Sequence, residues 1–122
     1  MAAGEIIKRR LSGSTDGRAI TVTGTSATGT IIHTAISGTT ISGTYDEVWL
    51  WAHNTATANK LLTVEWARST GQAGQLTRFT VPTRDGLYLV IPGLPLQNAR
   101  QVRAFAATAS VITVHGYVNR IS

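Results

Sequence analysis

Three histidines, six carboxylates and eleven basic side chains are the residues through which this 122-residue chain could do chemistry. His33, His53 and His115 lie far apart, and none has another His, Asp or Glu at a spacing that marks a metal site. The simplest role for a histidine on a strand is a structural hydrogen bond, although His53 and His115 could meet Asp46 or Glu65 where strands converge. Asp46 and Glu47 are adjacent, so on a strand they point to opposite faces and do not form an acid–base pair. A glycosidase pair drawn from distant strands has no support in the pattern. Gly38, Gly43, Gly71 and Gly74 do not make a phosphate loop, because neither a GxxxxGK(S/T) spacing nor the required helix accompanies them. No GxSxG elbow occurs. The absence of cysteine removes disulfides, thiolate metal sites and cysteine nucleophiles together. No catalytic, cofactor or metal site is therefore expected, and the chain reads as a non-enzyme.

Binding chemistry is better represented. Lys8-Arg9-Arg10 is the densest charge in the chain, which carries a formal +5 and a pI near 10.5. The other positive charges are scattered, whereas nucleic-acid binders concentrate theirs on one face. A solvated surface is the simplest account, an acidic protein partner comes next, and nucleic acid comes last. Arg78-Phe79 and Arg103-Ala104-Phe105 place aromatic and basic residues together, as an oligonucleotide-binding barrel would. The simpler reading turns each Phe inward and each Arg outward. Trp49 and Trp51 fall two apart in Asp46–Asn54, and Trp66 ends a later apolar run.

The elements that must position these residues are strands. Long helical periods are missing, and short β-branched and aromatic runs recur between Gly, Ser, Asn and Pro breakers. The runs are Glu5–Leu11, Arg18–Thr23, Thr30–Ile36, Tyr45–His53, Lys60–Trp66, Gln75–Val81, Leu87–Ile91, Gln101–Ala107 and Val111–Ile121. Asp16-Gly17 supplies a turn with positive φ, and Ser37–Thr40 and Ser42-Gly43 separate the third and fourth strands. Arg84-Asp85-Gly86 reads as a hairpin turn, and Pro92-Gly93-Leu94-Pro95 is excluded from a central strand. This spacing predicts an all-β antiparallel β-sandwich or jelly roll of eight or nine short strands. Residues 1–17 form an arm or edge strand, and residues 18–122 form the sandwich. Ala2-Ala3-Gly4 reads as flexible, and the arm either pairs with a neighbour or covers an edge of its own sheet. No apolar run approaches the roughly 20 residues a membrane span needs, and Met1–Leu11 does not read as a signal peptide.

The period of two selects the core. Val48 and Leu50 alternate with Glu47, and Leu62, Val64 and Trp66 alternate with Thr63 and Glu65. Leu87, Leu89 and Ile91 share one face, as do Ile112, Val114 and Val118. The fourth strand carries two apolar faces: Val48, Leu50 and Ala52 on one, Trp49 and Trp51 on the other. A two-layer sandwich has one core, so the tryptophan face needs a different cover. That cover is the N-terminal segment, a loop, another subunit or a ligand. Charged residues are only 14% of the chain against about 25% in typical domains, which leaves a neutral polar surface suited to assembly.

The stretch Ile31-Ile32-His33-Thr34-Ala35, a Gly-Thr-Thr turn, and Asp46-Glu47-Val48-Trp49-Leu50-Trp51-Ala52-His53-Asn54 resembles small virion proteins of tailed bacteriophages. Leu61–Trp66, Val90-Ile91-Pro92-Gly93 and the closing pair Val102–Ala107 and Val111–Val118 extend the resemblance over residues 16–121. It implies a sandwich or jelly roll placed in the virion, assembled in the host cytoplasm. The expected role is a capsid decoration or cement subunit, bound non-covalently to the major capsid protein and to copies of itself. Interface candidates are Trp49, Trp51, Lys8, Arg9 and Arg10. The competing readings are a carbohydrate- or receptor-binding module on a tail or fibre, which would expose Trp49, Trp51 and Trp66, and a nucleic-acid-binding barrel.

Overall fold

A computed structural model describes residues 4–40, 43–67 and 75–122; Met1–Ala3, Ser42, Gly71 and Gly74, named above, lie outside them. The described residues hold no α-helix and nine strands: β1 (Ile6–Arg10), β2 (Ile20–Thr21), β3 (Thr30–Thr34), β4 (Tyr45–Asn54), β5 (Lys60–Trp66), β6 (Leu76–Val81), β7 (Tyr88–Leu96), β8 (Gln101–Ala106) and β9 (Ile112–Ile121). Each lies on a run of β-branched or aromatic residues, whose side chains suit a pleated, half-buried surface. Among the described residues no helix is long and apolar enough to cross a membrane.

The pairing is nested. β5 pairs with β6, β4 with β7, β3 with β8 and β2 with β9, all antiparallel. The chain therefore runs out along one half and returns along the other, like one long hairpin. Wrapping this hairpin brings β9 onto β4 and β8 onto β5, and β1 adds to the far side of β9. Two sheets result, β1-β9-β4-β7 with β2 also on β9, and β3-β8-β5-β6. The fold is a β-sandwich. Its core takes Val48, Leu50 and Ala52 from β4, Leu62 and Val64 from β5, and Ile91 from β7. Val102, Ala104 and Ala106 of β8 and Ile112, Val114 and Val118 of β9 join it, as do Ile20 of β2, Ile32 of β3 and Val81 of β6.

The N-terminal segment takes the edge-strand form. Ile6–Arg10 pairs along β9, and Leu11, at 2% exposure, plugs into the core behind it. Asp16 and Gly17 adopt the expected positive φ, 57° and 84°.

Four expectations need correction. β7 continues through Pro92-Gly93-Leu94-Pro95 to Leu96. It can do so because it is the edge strand of its sheet, where a missing N–H costs least. Leu87 and Leu89 are not core residues with Ile91: they are 55% and 44% exposed. Leu89 pairs with Trp51 while Ile91 pairs with Leu50, so β7 advances two residues where β4 advances one. That bulge breaks the period of two. Arg84-Asp85-Gly86 is a turn, but it joins β6 to β7 across the two sheets and closes no hairpin. Finally, Thr63 and Glu65 point away from the core yet are buried: Thr63 lies between Arg78 of β6 and Phe105 of β8, and the loop before β3 reaches Glu65, with the Gly29 N–H donating to Glu65 Oε1 at 2.7 Å.

Candidate functional site

The outer face of the first sheet is where the candidate interface residues gather. Alternation along β4 sends Val48, Leu50 and Ala52 into the core and leaves Glu47, Trp49, Trp51 and His53 half-buried on the opposite face. β9 lies beside it with Asn119 opposite Glu47, Tyr117 opposite Trp49 and His115 opposite Trp51. On the other flank, β7 sets Leu89 opposite Trp51 and Pro92 opposite Trp49.

Trp49, Trp51 and Tyr117 form one aromatic plate. Their ring centroids are 6.2 Å (Trp49–Trp51), 6.5 Å (Trp49–Tyr117) and 5.9 Å (Trp51–Tyr117) apart. Their planes lie within 18°, 21° and 29° of parallel. Three near-parallel rings in a single column would put the end pair at twice the spacing. These distances are nearly equal, so the rings spread sideways over the sheet. Each pair adds about 0.5–1.5 kcal/mol to what burial of the rings supplies.

The plate is held from three sides. The Trp49 indole N–H donates to Glu47 Oε1 at 2.7 Å, and Asn119 Nδ2 donates to the same oxygen at 3.1 Å. Those two hydrogen bonds, Trp49 first, hold the Glu47 carboxyl below its ordinary pKa and so keep it charged. Below the ring lies Gly93 (φ 75°), where a Cβ would come within 2.6 Å of the Trp49 ring. A larger residue there would tilt the indole. Lys8 reaches over from β1 and puts its ammonium 4.5 Å from the Tyr117 centroid, a cation–π contact.

The rim is polar. His53 Nδ1 donates to the Gly86 carbonyl at 3.1 Å, which fixes its tautomer. His115 is pushed below its ordinary pKa by burial and then by repulsion from His53, which favours its neutral form.

A second polar cluster sits inside the molecule and had no sequence signal. His33, at 2% exposure, meets Asp46, at 0%, at 2.8 Å. Neither His53 nor His115 is Asp46's partner. His33 Nδ1 accepts the Ser12 N–H at 3.0 Å, so its Nε2 carries the proton and donates to Asp46. Arg120 adds two hydrogen bonds to Asp46, at 2.8 and 3.1 Å, and the Ile36 N–H a third at 3.2 Å. Burial pushes the Asp46 carboxyl up, but the hydrogen bonds from His33 and Arg120 and the Arg120 charge outweigh it and bring its pKa to about 2. With both ring nitrogens engaged, His33 has none left to act as a base. The cluster ties β3 of one sheet to β4 and β9 of the other.

Lys8, Arg9 and Arg10 lie on β1, all exposed, with Lys8 and Arg10 opposite Asn119 and Tyr117. Arg78 is exposed while Phe79 packs against the core, as alternation requires. Arg103 and Phe105 instead share the outer face of β8, because residues two apart point the same way and Ala104 is the one turned inward. Trp66 is half-buried against the core, away from the plate. Among the described residues, no three His, Asp or Glu side chains gather as a metal site. Comparison with protein-family models, curated proteins and solved structures returned no match.

Proposed function

We propose that the protein is a structural, non-enzymatic subunit of a tailed-bacteriophage virion, a decoration or cement protein that binds the head shell through the outer face of its first sheet. Its partners on this reading are the major capsid protein and further copies of itself. The observation that carries the reading is the aromatic plate: Trp49, Trp51 and Tyr117 lie half-exposed on a rigid sheet, oriented by Glu47, Asn119 and Gly93. Half-exposed aromatic residues are what interface centres are enriched in. We read the nested pairing as a jelly roll, an architecture that viral capsid proteins use. The inner polar cluster supports it too, since buried Asp46 and His33 and partly buried Arg120 are engaged in holding the sheets together. Weak contacts of one subunit gain strength by repetition on a lattice.

The test is heat release of DNA from full and protein-depleted particles. Added-back protein raises the temperature at which DNA escapes, by mass action on the intact shell. Trp49→Ala and Trp51→Ala proteins, folded but altered on the plate, restore less of it. Equal release from full and depleted particles overturns the cement role.

One observation favours a second reading. The same half-exposed rings, rimmed by Glu47, Asn119 and His115, offer a flat surface to the apolar face of a sugar ring, as in a fibre-associated carbohydrate-binding module. Quenching of tryptophan emission by a glycan, abolished in Trp51→Ala, would move this reading to first place.

A further inference from the structure

The two ends of the first sheet are built differently. At one end β7 carries Pro92 and Pro95 and shifts register twice against β4, features that blunt an edge against further pairing. At the other end β1 runs in unbroken register along β9 and has no second neighbour among the described residues. In an antiparallel pair alternate residues direct their N–H and C=O groups away from the partner, so β1 presents an open ladder. All five of its residues are exposed, including Ile6 at 67% and Ile7 at 38%. A cleft of about 460 Å³ runs beside it, lined by residues 7–12 and Ser14.

From these features we infer that the free edge of β1 is a docking strand for an acidic, extended segment of a partner protein, which adds to the sheet as a further strand. Charge selects the occupant. Lys8, Arg9 and Arg10 fill three of the five positions, and no ion pair with a described residue neutralises them. A second copy offering its own β1 in any register that overlaps residues 8–10 with themselves would set like charges directly opposite, which destabilises a strand pair. The same cations favour carboxylates on the incoming strand. Ile6 on one face and Ile7 on the other each give a side chain of the incoming strand an apolar contact, and backbone hydrogen bonds supply the rest of the affinity. Lys8 joins this edge to the aromatic plate through Tyr117, so the two surfaces are continuous. The inference deepens the reading of the chain as a shell-binding subunit by naming the partner's chemistry, but its test needs no shell.

The experiment titrates the full chain with a peptide of about ten residues that alternates Glu and Val, a length that suits a single strand. Backbone amide exchange is followed residue by residue. The expected result is protection confined to Ile6–Arg10 and the flanking cleft. The same peptide with Pro at alternate positions, equal in charge but unable to pair, binds about tenfold more weakly or worse, as does a Lys-Val peptide. The variant Lys8→Glu/Arg9→Glu/Arg10→Glu loses the Glu-Val peptide by a similar factor and captures the Lys-Val peptide instead, which also shows that it is folded. Equal binding of the proline peptide, or protection elsewhere without protection of β1, overturns the inference. Peptide capture without shell protection removes the virion role and keeps the docking strand; shell protection without capture does the reverse.

Discussion

Single residues set the pH dependence of this fold. Asp46 has a folded pKa of about 2 against an ordinary 3.8. A carboxyl lowered on folding adds stability above its unfolded pKa, and that stability is lost as pH falls through the folded value. Urea midpoints should therefore decline between about pH 4 and pH 2, by about 2 kcal/mol from this group. Asp46→Asn removes that part of the decline and lowers stability at neutral pH by about 3–5 kcal/mol, because Arg120 and His33 lose a buried charged partner. Gly93 has a different role. Its positive φ and its contact with Trp49 make Gly93→Ala cost about 1–3 kcal/mol, with a red shift of tryptophan emission as the indole is tilted outward. The sequence identified Trp49 and Trp51 as a surplus apolar face. It did not single out Tyr117, since only the pairing of β9 with β4 brings that ring beside them.

At the scale of one element, β4 separates the core from the exposed plate. Its inward residues hold the two sheets together, and its outward residues form the plate. Leu50→Ala should cost about 2–5 kcal/mol, the usual loss for a buried leucine. Trp51→Ala should cost less, because the ring is half-exposed and gives up mainly its two ring contacts, about 0.5–1.5 kcal/mol each. Equilibrium unfolding of the two variants checks the order. A larger loss in Trp51→Ala would make the plate part of the core. The far end of β4 is closed by Asn54, whose Nδ2 donates to the Ala58 and Val81 carbonyls while its Oδ1 accepts the Ala56 N–H. This one buried side chain fixes the connection to β5 and ties it to the end of β6.

The whole molecule is an antiparallel ribbon wrapped on itself, and its slowest step follows from that. β1 and β9 lie at opposite ends of the described chain, yet they pair residue to residue. Loop closure of that length precedes any gain from the contact, so folding should take on the order of milliseconds to seconds, which stopped-flow fluorescence of the tryptophans will measure. The sequence by itself determined the strands, since alternation and turn residues are local: Lys60–Trp66 is matched at both ends, and Tyr45–His53 at all but one residue. It narrowed the core face of β4 to two candidates, because a period of two leaves only two choices, and the wrapped sheets decided for Val48, Leu50 and Ala52. It could not determine that β7 passes through two prolines, because that depends on β7 lying at an edge. Nor could it determine that His33 meets Asp46 and Arg120, or that Lys8 lies over Tyr117. Those contacts join strands that are far apart in the chain and become neighbours only when the ribbon wraps, so nothing in their local spacing encodes them. Only the tertiary structure decided them.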